Sequence, residues 1–297
     1  MNAPIDQTVP AIEIINVLDI KPVLTAHRQT VLRTAEFEDP RDGRRFRCGY
    51  SRRKQDNYYS PPHRHTFDQL RFVIEGKTKY GPMRLGSGDF AYFPEGVFYG
   101  PTESLSEDLA SCTIQTQGPS WGCFPTDAEC AVAGEQLKGR GEMDRATGQF
   151  IWADGKKQDS FEALLEQVQG GPAQYPAARY RAPIQFHTDN FPWLETKLVD
   201  GETTQPGVMS KPLARFNAGG PDVEMIRVDA GATLTGGRAT VHRMWVVFAG
   251  SGECGGRGIT EGTFIYSPPG SDIPLLHANQ EIIIYSSRFE TRSMTRD

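Results

Sequence analysis

Four turn-forming residues recur in this chain at one fixed offset, the separation between Gly76 and Gly250. The first set is Gly76, Gly88, Pro94 and Gly96, and the second is Gly250, Gly262, Pro268 and Gly270. A fixed offset across several turn residues indicates two copies of one supersecondary plan. The apolar segment 70–74 (LRFVI) likewise corresponds to 244–248 (MWVVF). The sequence therefore predicts a duplicated fold.

The composition is typical of a turn-rich β protein. The 297 residues include 31 glycines and 21 prolines, and the 10% aromatic content argues against disorder. One helix is expected between the two copies, because Asp159 can cap a helix that carries Glu162 three residues later and ends at 170–171 (GG). A strand at 149–152 and a turn at 153–156 are expected just before it.

His63 and His65 are the strongest candidates for a metal site. Side chains alternate between the two faces of a β-strand, so His63, His65 and Gln69 would face one side of an unbroken strand. Two imidazoles and an oxygen donor on one face suit a first-row divalent metal. Asp68 has the opposite parity and would need a β-bulge to join them.

These residues and turns resemble the two motifs of the cupin superfamily. The first motif has the form H-x-H, three or four residues, Glu, six residues, Gly, and it here reads His63, His65, Gln69, Gly76. The second has the form G-x5-P-x-G-x2-H, and it here reads Gly88, Pro94, Gly96, Tyr99. The chain departs from the family pattern twice, with Gln69 in place of Glu and Tyr99 in place of the third histidine.

The resemblance implies a bicupin, an all-β chain of two jelly-roll barrels joined by a short helical segment. The predicted division is an N-terminal arm (1–40), barrel 1 (41–118), an inter-barrel segment (119–204) and barrel 2 (205–297). The arm contains an apolar run, 12–20, which is expected to pack on a neighbouring sheet.

The resemblance also implies a divalent metal in barrel 1, with Fe(II) favoured and Mn, Ni or Zn as alternatives. Its ligands would be His63, His65, Gln69 and Tyr99. A nearby cation lowers the pKa of a phenol, so Tyr99 could supply the anion that a neutral amide does not. Tyr99 could instead act as a general acid or base. An aromatic pocket is expected around the site from Tyr58, Tyr59, Tyr80 and Tyr92.

The second copy keeps none of these ligands. The same offset places Gly237, Ala239, Arg243 and Ile273 at the four ligand positions. A guanidinium has no acceptor and cannot bind a cation. Barrel 2 is therefore predicted to be structural, with Arg243 either paired to an internal carboxylate or binding an anionic ligand.

The overall charge and the distribution of apolar residues limit which partners and which cellular location are expected. The net charge is −5, which gives no overall attraction to nucleic acid. A basic run at 41–54 could bind nucleic acid, but a solvated or inter-subunit salt-bridged face is favoured. Its members are Arg41, Arg44, Arg45, Arg47, Arg52, Arg53 and Lys54. The sequence contains no run of about 18 apolar residues, so no transmembrane helix is expected. We expect a cytoplasmic protein with a small-molecule substrate that could form a homodimer.

The remaining reactive side chains have ordinary interpretations. The five cysteines form no C-x-x-C pair, so reduced thiols are expected. Four other histidines are expected to be surface or hydrogen-bonded residues: His27, His187, His242 and His277.

The leading functional prediction is a metal-dependent enzyme that acts on a small oxygenated organic molecule. A dioxygenase is favoured, because an open Fe(II) site can bind substrate and O2 together. A lyase or isomerase that uses the metal as a Lewis acid is the next alternative. A non-catalytic bicupin that binds a small ligand or has a structural role is the alternative from another class.

The placement of Tyr99 can be tested directly. If Tyr99 occupies the third ligand position, Tyr99→His should tighten divalent-metal binding, because it restores an imidazole donor. Titration calorimetry with Mn²⁺ on both proteins measures the change. An unchanged affinity would count against this placement.

Overall fold

The structure is a computed structural model that describes residues 11–24, 31–54, 59–197, 204–216 and 219–291. Those residues are mostly in antiparallel β-strands. They contain the α-helices α1 (Asp127–Leu137) and α2 (Ser160–Gln169) and the 3-10 helices Val17–Asp19 and Thr188–Asn190. The prediction of an all-β fold with a short helical segment is confirmed. None of the helices in these ranges is long and apolar enough to cross a membrane.

The strands of the first part of the chain alternate with tight turns. They are β1 (Glu13–Asn16), β2 (Val23–Leu24), β3 (Val31–Asp39), β4 (Arg44–Lys54), β5 (Tyr59–Ser60), β6 (Asp68–Glu75), β7 (Lys77–Tyr80), β8 (Met83–Gly86), β9 (Phe90–Phe93), β10 (Thr102–Ser104), β11 (Asp108–Thr116), β12 (Gly141–Asp144), β13 (Gln149–Trp152), β14 (Lys157–Asp159) and β15 (Ile184–Phe186).

The strands of the second part of the chain follow one another in a similar order. They are β16 (Leu194–Lys197), β17 (Thr204–Arg215), β18 (Asp222–Val228), β19 (Thr233–Leu234), β20 (Gly237–Arg238), β21 (His242–Ala249), β22 (Ser251–Cys254), β23 (Arg257–Thr260), β24 (Thr263–Ser267), β25 (Asp272–Ile273), β26 (Leu276–Ala278) and β27 (Ile282–Phe289).

The described residues group into two compact units. The barrel 1 unit takes those within Ile20–Thr34 and Arg47–Thr188. The barrel 2 unit takes those within Met1–Asp19, Ala35–Phe46 and Asp189–Asp297. The predicted boundaries at residues 41, 119 and 205 remain predictions of how the chain is divided.

The barrel 1 unit is built on two sheets. The larger has the strand order β15-β9-β6-β11-β4-β3-β2, and the smaller has the order β5-β10-β7-β8. Side chains inside the barrel form an apolar cluster that consists of Val73, Tyr80, Leu85, Ala91, Phe93, Tyr99 and Leu109. A separate small sheet, β12-β13-β14, packs with both helices around Phe150 and Leu164.

The barrel 2 unit has the same design. Its larger sheet has the order β1-β24-β21-β27-β18-β17-β16, and its smaller sheets are β19-β26-β22-β23 and β20-β25. The apolar run of the predicted arm supplies β1, which pairs with β24 from Glu13 opposite Tyr266 to Asn16 opposite Thr263. The arm thus extends the sheet of this unit as an edge strand.

The strand bounds confirm the duplication. The ranges of β5, β6, β7, β8 and β10 reappear at the offset of the turn residues as β19, β21, β22, β23 and β26. The repeated glycines adopt a positive φ that other residues rarely take, +82° at Gly76 and +88° at Gly250. The motif turns therefore mark equivalent corners of both barrels.

The helix prediction holds at α2, and α1 was missed. The Asp159 side chain accepts hydrogen bonds from the backbone N–H groups of Phe161 and Glu162, and the helix ends at Gly170 in the left-handed conformation. The helix α1 begins with a capping box formed by Thr126 and Glu129. That T-x-x-E signature was visible in the sequence.

A matched pair of glycine variants tests the repeated turn. Both Gly250 and Gly256 have positive φ, but a Cβ at Gly250 would lie 1.9 Å from the Glu281 carbonyl oxygen while a Cβ at Gly256 would meet nothing within 4 Å. Gly256→Ala should cost only the backbone strain of about 1–2 kcal/mol. Gly250→Ala should cost about 1–3 kcal/mol more from overpacking. Equal losses in urea unfolding would contradict the close approach.

Candidate functional site

The two motif histidines lie just before β6, on a stretch that is not continuous with it. The chain bends at 66–67, so the premise of an unbroken strand through His63, His65 and Gln69 is wrong. His63 is instead held by two backbone hydrogen bonds with Tyr99, N–H to O in both directions at 2.9 Å. The His63 and His65 rings nevertheless lie side by side, with centroids 4.9 Å apart.

All four predicted ligand residues come together inside barrel 1. The Tyr99 ring lies 4.6 Å from the His63 ring and 6.0 Å from the His65 ring, centroid to centroid. The Gln69 amide Nε2 donates to the Tyr99 hydroxyl at 3.3 Å. Each of the four is buried. Their roles as metal ligands stay predictions.

Arg71 is the site residue that sequence reasoning missed. Its Nη2 donates to the Tyr99 hydroxyl at 2.8 Å and to Gln69 Oε1 at 3.1 Å. Its guanidinium also lies over the Tyr80 and Phe93 rings, 5.1 and 4.9 Å from their centroids. Arg71 has the same parity as Gln69, so the alternation of β6 could have revealed it.

Within this group of residues, the two imidazoles are the side chains best suited to bind a metal. The His63 Nδ1 lies 2.7 Å from the Pro61 carbonyl oxygen, which can only accept, so Nδ1 carries the proton and Nε2 keeps its lone pair for a metal. Gln69 Oε1 accepts from Arg71 and also from Gln115 Nε2 at 3.0 Å. A metal bound here would therefore be held mainly by two imidazoles, with positions open to substrate oxygens.

A cavity of about 110 Å³ lies at this site. Alternate residues of β4 line one side of it, namely Arg47, Gly49, Ser51 and Arg53. Residues of β11 line the neighbouring wall, namely Ser111, Thr113 and Gln115. A Cβ at Gly49 would lie 2.8 Å from the Thr113 hydroxyl, so the glycine keeps this part of the cavity open.

The predicted aromatic pocket is correct only in part. Tyr80 lines the cavity, together with Phe67 and with Phe161 from α2. Tyr92 faces the opposite side of the sheet and donates to Asp68. Tyr59 is 41% exposed and does not line the cavity. Tyr58 lies outside the described residues.

Asp68 belongs to a buried network on the outer face of β6, as its parity indicated. Its Oδ2 accepts from the Tyr92 hydroxyl at 2.6 Å, and its Oδ1 accepts from the Glu95 N–H at 2.8 Å. Arg179 donates to the Tyr92 hydroxyl at 2.9 Å and lies 3.4 Å from Asp68. Burial raises the pKa of Asp68 to about 6 despite these donors.

At the equivalent inward-facing positions, barrel 2 carries residues of different types. Trp245 fills its core and donates from Nε1 to Ser286 at 3.2 Å. Burial lowers the pKa of Arg243, Glu224 opposes that shift, and Arg288 adds to it. The charge of Glu224 thus acts on Arg243, while pairing with an internal carboxylate or anion binding by Arg243 stays a prediction.

The outer face of barrel 2 carries a second cluster of potential metal donors, formed by Asp39, Asp42 and His242. The potential ligand atoms of His242 are already in hydrogen bonds. His242 Nε2 lies 2.8 Å from Asp42 Oδ2, and His242 Nδ1 lies 2.9 Å from the Tyr266 hydroxyl. Both Asp39 oxygens accept from Arg41. The offset relates His242 and Tyr266 to Asp68 and Tyr92, but it gives no signal for Asp39 or Asp42.

The other histidines that the structure describes are hydrogen-bonded, as predicted. His187 contacts Asp89 at 3.0 Å, and His277 contacts Thr233 at 3.1 Å. His242 is the buried residue of the cluster above. His27 lies outside the described residues. The five cysteines are thiols, as expected, and all but Cys123 are buried.

The basic run does not form the single surface that was expected. Arg44 is buried, and Arg47 and Arg53 line the cavity. Arg52, between them, faces outward and forms an ion pair with Glu75 at 2.9 Å. The alternation of β4 therefore divides the run between the barrel interior and the solvent. The Lys54 side chain lies outside the described part.

No family model matches this sequence, and no curated protein matches it. Solved structures do match it over most of its length. A candidate dioxygenase from Nostoc punctiforme PCC 73102 has a TM-score of 0.59 at 13% identity, over 96% of this chain and 84% of that chain. Oxalate decarboxylase from Bacillus subtilis, described with Mn(II) centres, has a TM-score of 0.60 at 12% identity, over 96% and 79% of the two chains.

A variant of the same decarboxylase has a TM-score of 0.61 at 12% identity, over 96% of this chain and 78% of that chain. At this level of identity the likeness shows the fold. The chain therefore has the two-barrel bicupin fold that its motifs predicted.

Asp68 gives a pH-dependent prediction. Its pKa is about 6 in the folded protein and about 3.9 in an unfolded chain. The folded state thus holds the proton more tightly, and Asp68 should reduce stability as the pH rises from about 4 to about 6. Asp68→Asn should flatten the dependence of Tm on pH in that window. Glu107→Gln, at an exposed position, is the control. A slope that Asp68→Asn leaves unchanged would contradict the raised pKa.

Proposed function

We propose that the protein is a metal-dependent bicupin enzyme and that barrel 1 holds its active site. The observation that supports this most is the pair of adjacent imidazoles, His63 and His65, on the wall of a cavity. The His63 tautomer presents Nε2 as a ligand atom. Two protein ligands leave coordination positions open, which suits a metal that meets its substrate directly.

A bound divalent metal would supply either O2 activation or Lewis-acid polarisation of a substrate oxygen. We propose a dioxygenase-type reaction with Fe(II) as the leading candidate, on a small molecule that carries paired oxygens. The substrate enters the cavity beside His63 and His65, and Phe161 covers His65 from α2, with ring centroids 4.6 Å apart. That apolar cover limits the access of water to the imidazoles.

A lyase or isomerase is the second candidate, and the environment of Tyr99 favours it. Arg71 and Gln69 both donate to the Tyr99 hydroxyl oxygen. Hydrogen bonds to the charged form of a group favour that form. Tyr99 would then be placed to give a proton to substrate or take one from it, with its negative charge held by Arg71.

Metal content is the first test of this proposal. Protein purified without added metal should contain about one divalent ion per chain, and His63→Ala/His65→Ala should contain almost none. His187→Ala/His277→Ala removes the same number of imidazoles from exposed positions and should retain the ion. Mass spectrometry of the metal in the three proteins decides the outcome. Negligible metal in all three, or equal metal in all three, would contradict the proposed site.

Oxygen dependence then separates the two reaction classes. Oxygen uptake with diketones, catechols and hydroxy acids should identify a dioxygenase. Turnover under strict anaerobiosis would exclude the O2 mechanism and favour the lyase or isomerase. A bound metal without reaction of any of these compounds would count in favour of a bicupin that binds a ligand without converting it.

A further inference from the structure

We propose that the barrel 1 cavity binds the carboxylate of a small organic acid with an apolar body, and that Arg53 is its main contact. The inference names the ligand class of the site proposed above and rests on barrel 1 being the functional site. It does not require a metal, because the groups that would bind the carboxylate belong to the cavity wall itself.

The charge of the cavity wall carries the argument. Among the described residues, those that line the cavity include three arginines, Arg47, Arg53 and Arg71, and two histidines, but no aspartate or glutamate. Arg47 forms an ion pair with Asp127 at the start of α1, outside the lining. Coulombic attraction is stronger in a partly desolvated cavity than in water. The wall therefore favours an anionic ligand.

The alternation of β4 aims Arg53 into the cavity and its neighbour Arg52 away from it. Arg53 lines the cavity, whereas Arg52 is half exposed and pairs with Glu75. A guanidinium offers two parallel N–H donors that match the two oxygens of a carboxylate. Arg71 adds a further positive charge to the lining, where it is held by Gln69 and Tyr99.

Hydroxyl groups extend this polar wall. The side-chain oxygens of Ser51 on β4 and Ser111 on β11 lie 3.0 Å apart, and Thr113 lies on the same strand as Ser111. Hydroxyls can rotate to donate to a carboxylate oxygen. The space that Gly49 leaves open lies along this wall.

The lining also includes apolar side chains, which would contact the other part of the ligand. They are Leu32, Phe67, Tyr80 and Phe161. Aromatic and aliphatic side chains favour a hydrocarbon or aromatic body, while the few polar groups orient it. The combination points to a small carboxylic acid with an aromatic or aliphatic body, for which benzoate is a simple probe.

The experiment is titration calorimetry of benzoate into the full-length protein after treatment with a chelator. Benzoate should bind, and benzamide, which has the same shape without the charge, should not. Arg53→Gln should weaken benzoate binding by about tenfold or more. Arg53→Lys should weaken it by less, because lysine keeps the positive charge but lacks the two parallel N–H donors of a guanidinium. Arg52→Gln is the matched control and should leave the affinity unchanged.

Equal affinities in the wild type and Arg53→Gln, or benzamide binding as tight as that of benzoate, would overturn this inference. The outcome is independent of the metal test. Protein that holds a metal but does not bind benzoate would refute the carboxylate site and leave the metal enzyme standing. Protein that binds benzoate through Arg53 without holding a metal would support the carboxylate site and refute the proposed metal chemistry.

Discussion

The antiparallel pairing of β6 between β9 and β11 decides which way each side chain of β6 points. Because side chains alternate along a strand, Asp68 goes to the outer face while Gln69 and Arg71 go to the interior. A shift of one residue would exchange the two networks and bury unpaired charge on both faces. The glycine turn that follows the strand, at Gly76, supports this register by admitting a backbone approach that a Cβ would block.

The fold could be predicted because its signals are local and repeated. Turn glycines, spacing and the Asp159 cap each act over a few residues, and the constant offset between the two sets of turns joined them into two barrels. The site could be predicted only in part. The spacing brought His63, His65, Gln69 and Tyr99 together, although the chain reaches Gln69 by a bend and not by a continuous strand. Arg71 shares the inward parity of Gln69 and could have been found from the alternation of β6. The β4 arginines could not, because their role depends on which strands become neighbours.

The two barrels show how one plan accommodates different chemistry. The interior of barrel 1 keeps imidazoles, hydroxyls and guanidiniums around a cavity. The interior of barrel 2 has Trp245 in its packed core, with Arg243 near Glu224. Glycine positions are equivalent in both, since they serve the backbone, while the inward side chains have diverged.

The outer polar pairs have a consequence for which positions of the duplicated scaffold can change independently. Asp68 with Tyr92 in one barrel, and His242 with Tyr266 in the other, occupy equivalent places, and each pair binds a charged residue from a distant part of the chain: Arg179 from the segment after α2 in the first case and Asp42 from the turn between β3 and β4 in the second. The same location on the two barrels thus holds a loop or a turn against the outer face. Because the outer pair and the inner site use side chains of opposite parity, the residue at that location can differ, as aspartate and histidine do here, without any change to the side chains that face the interior.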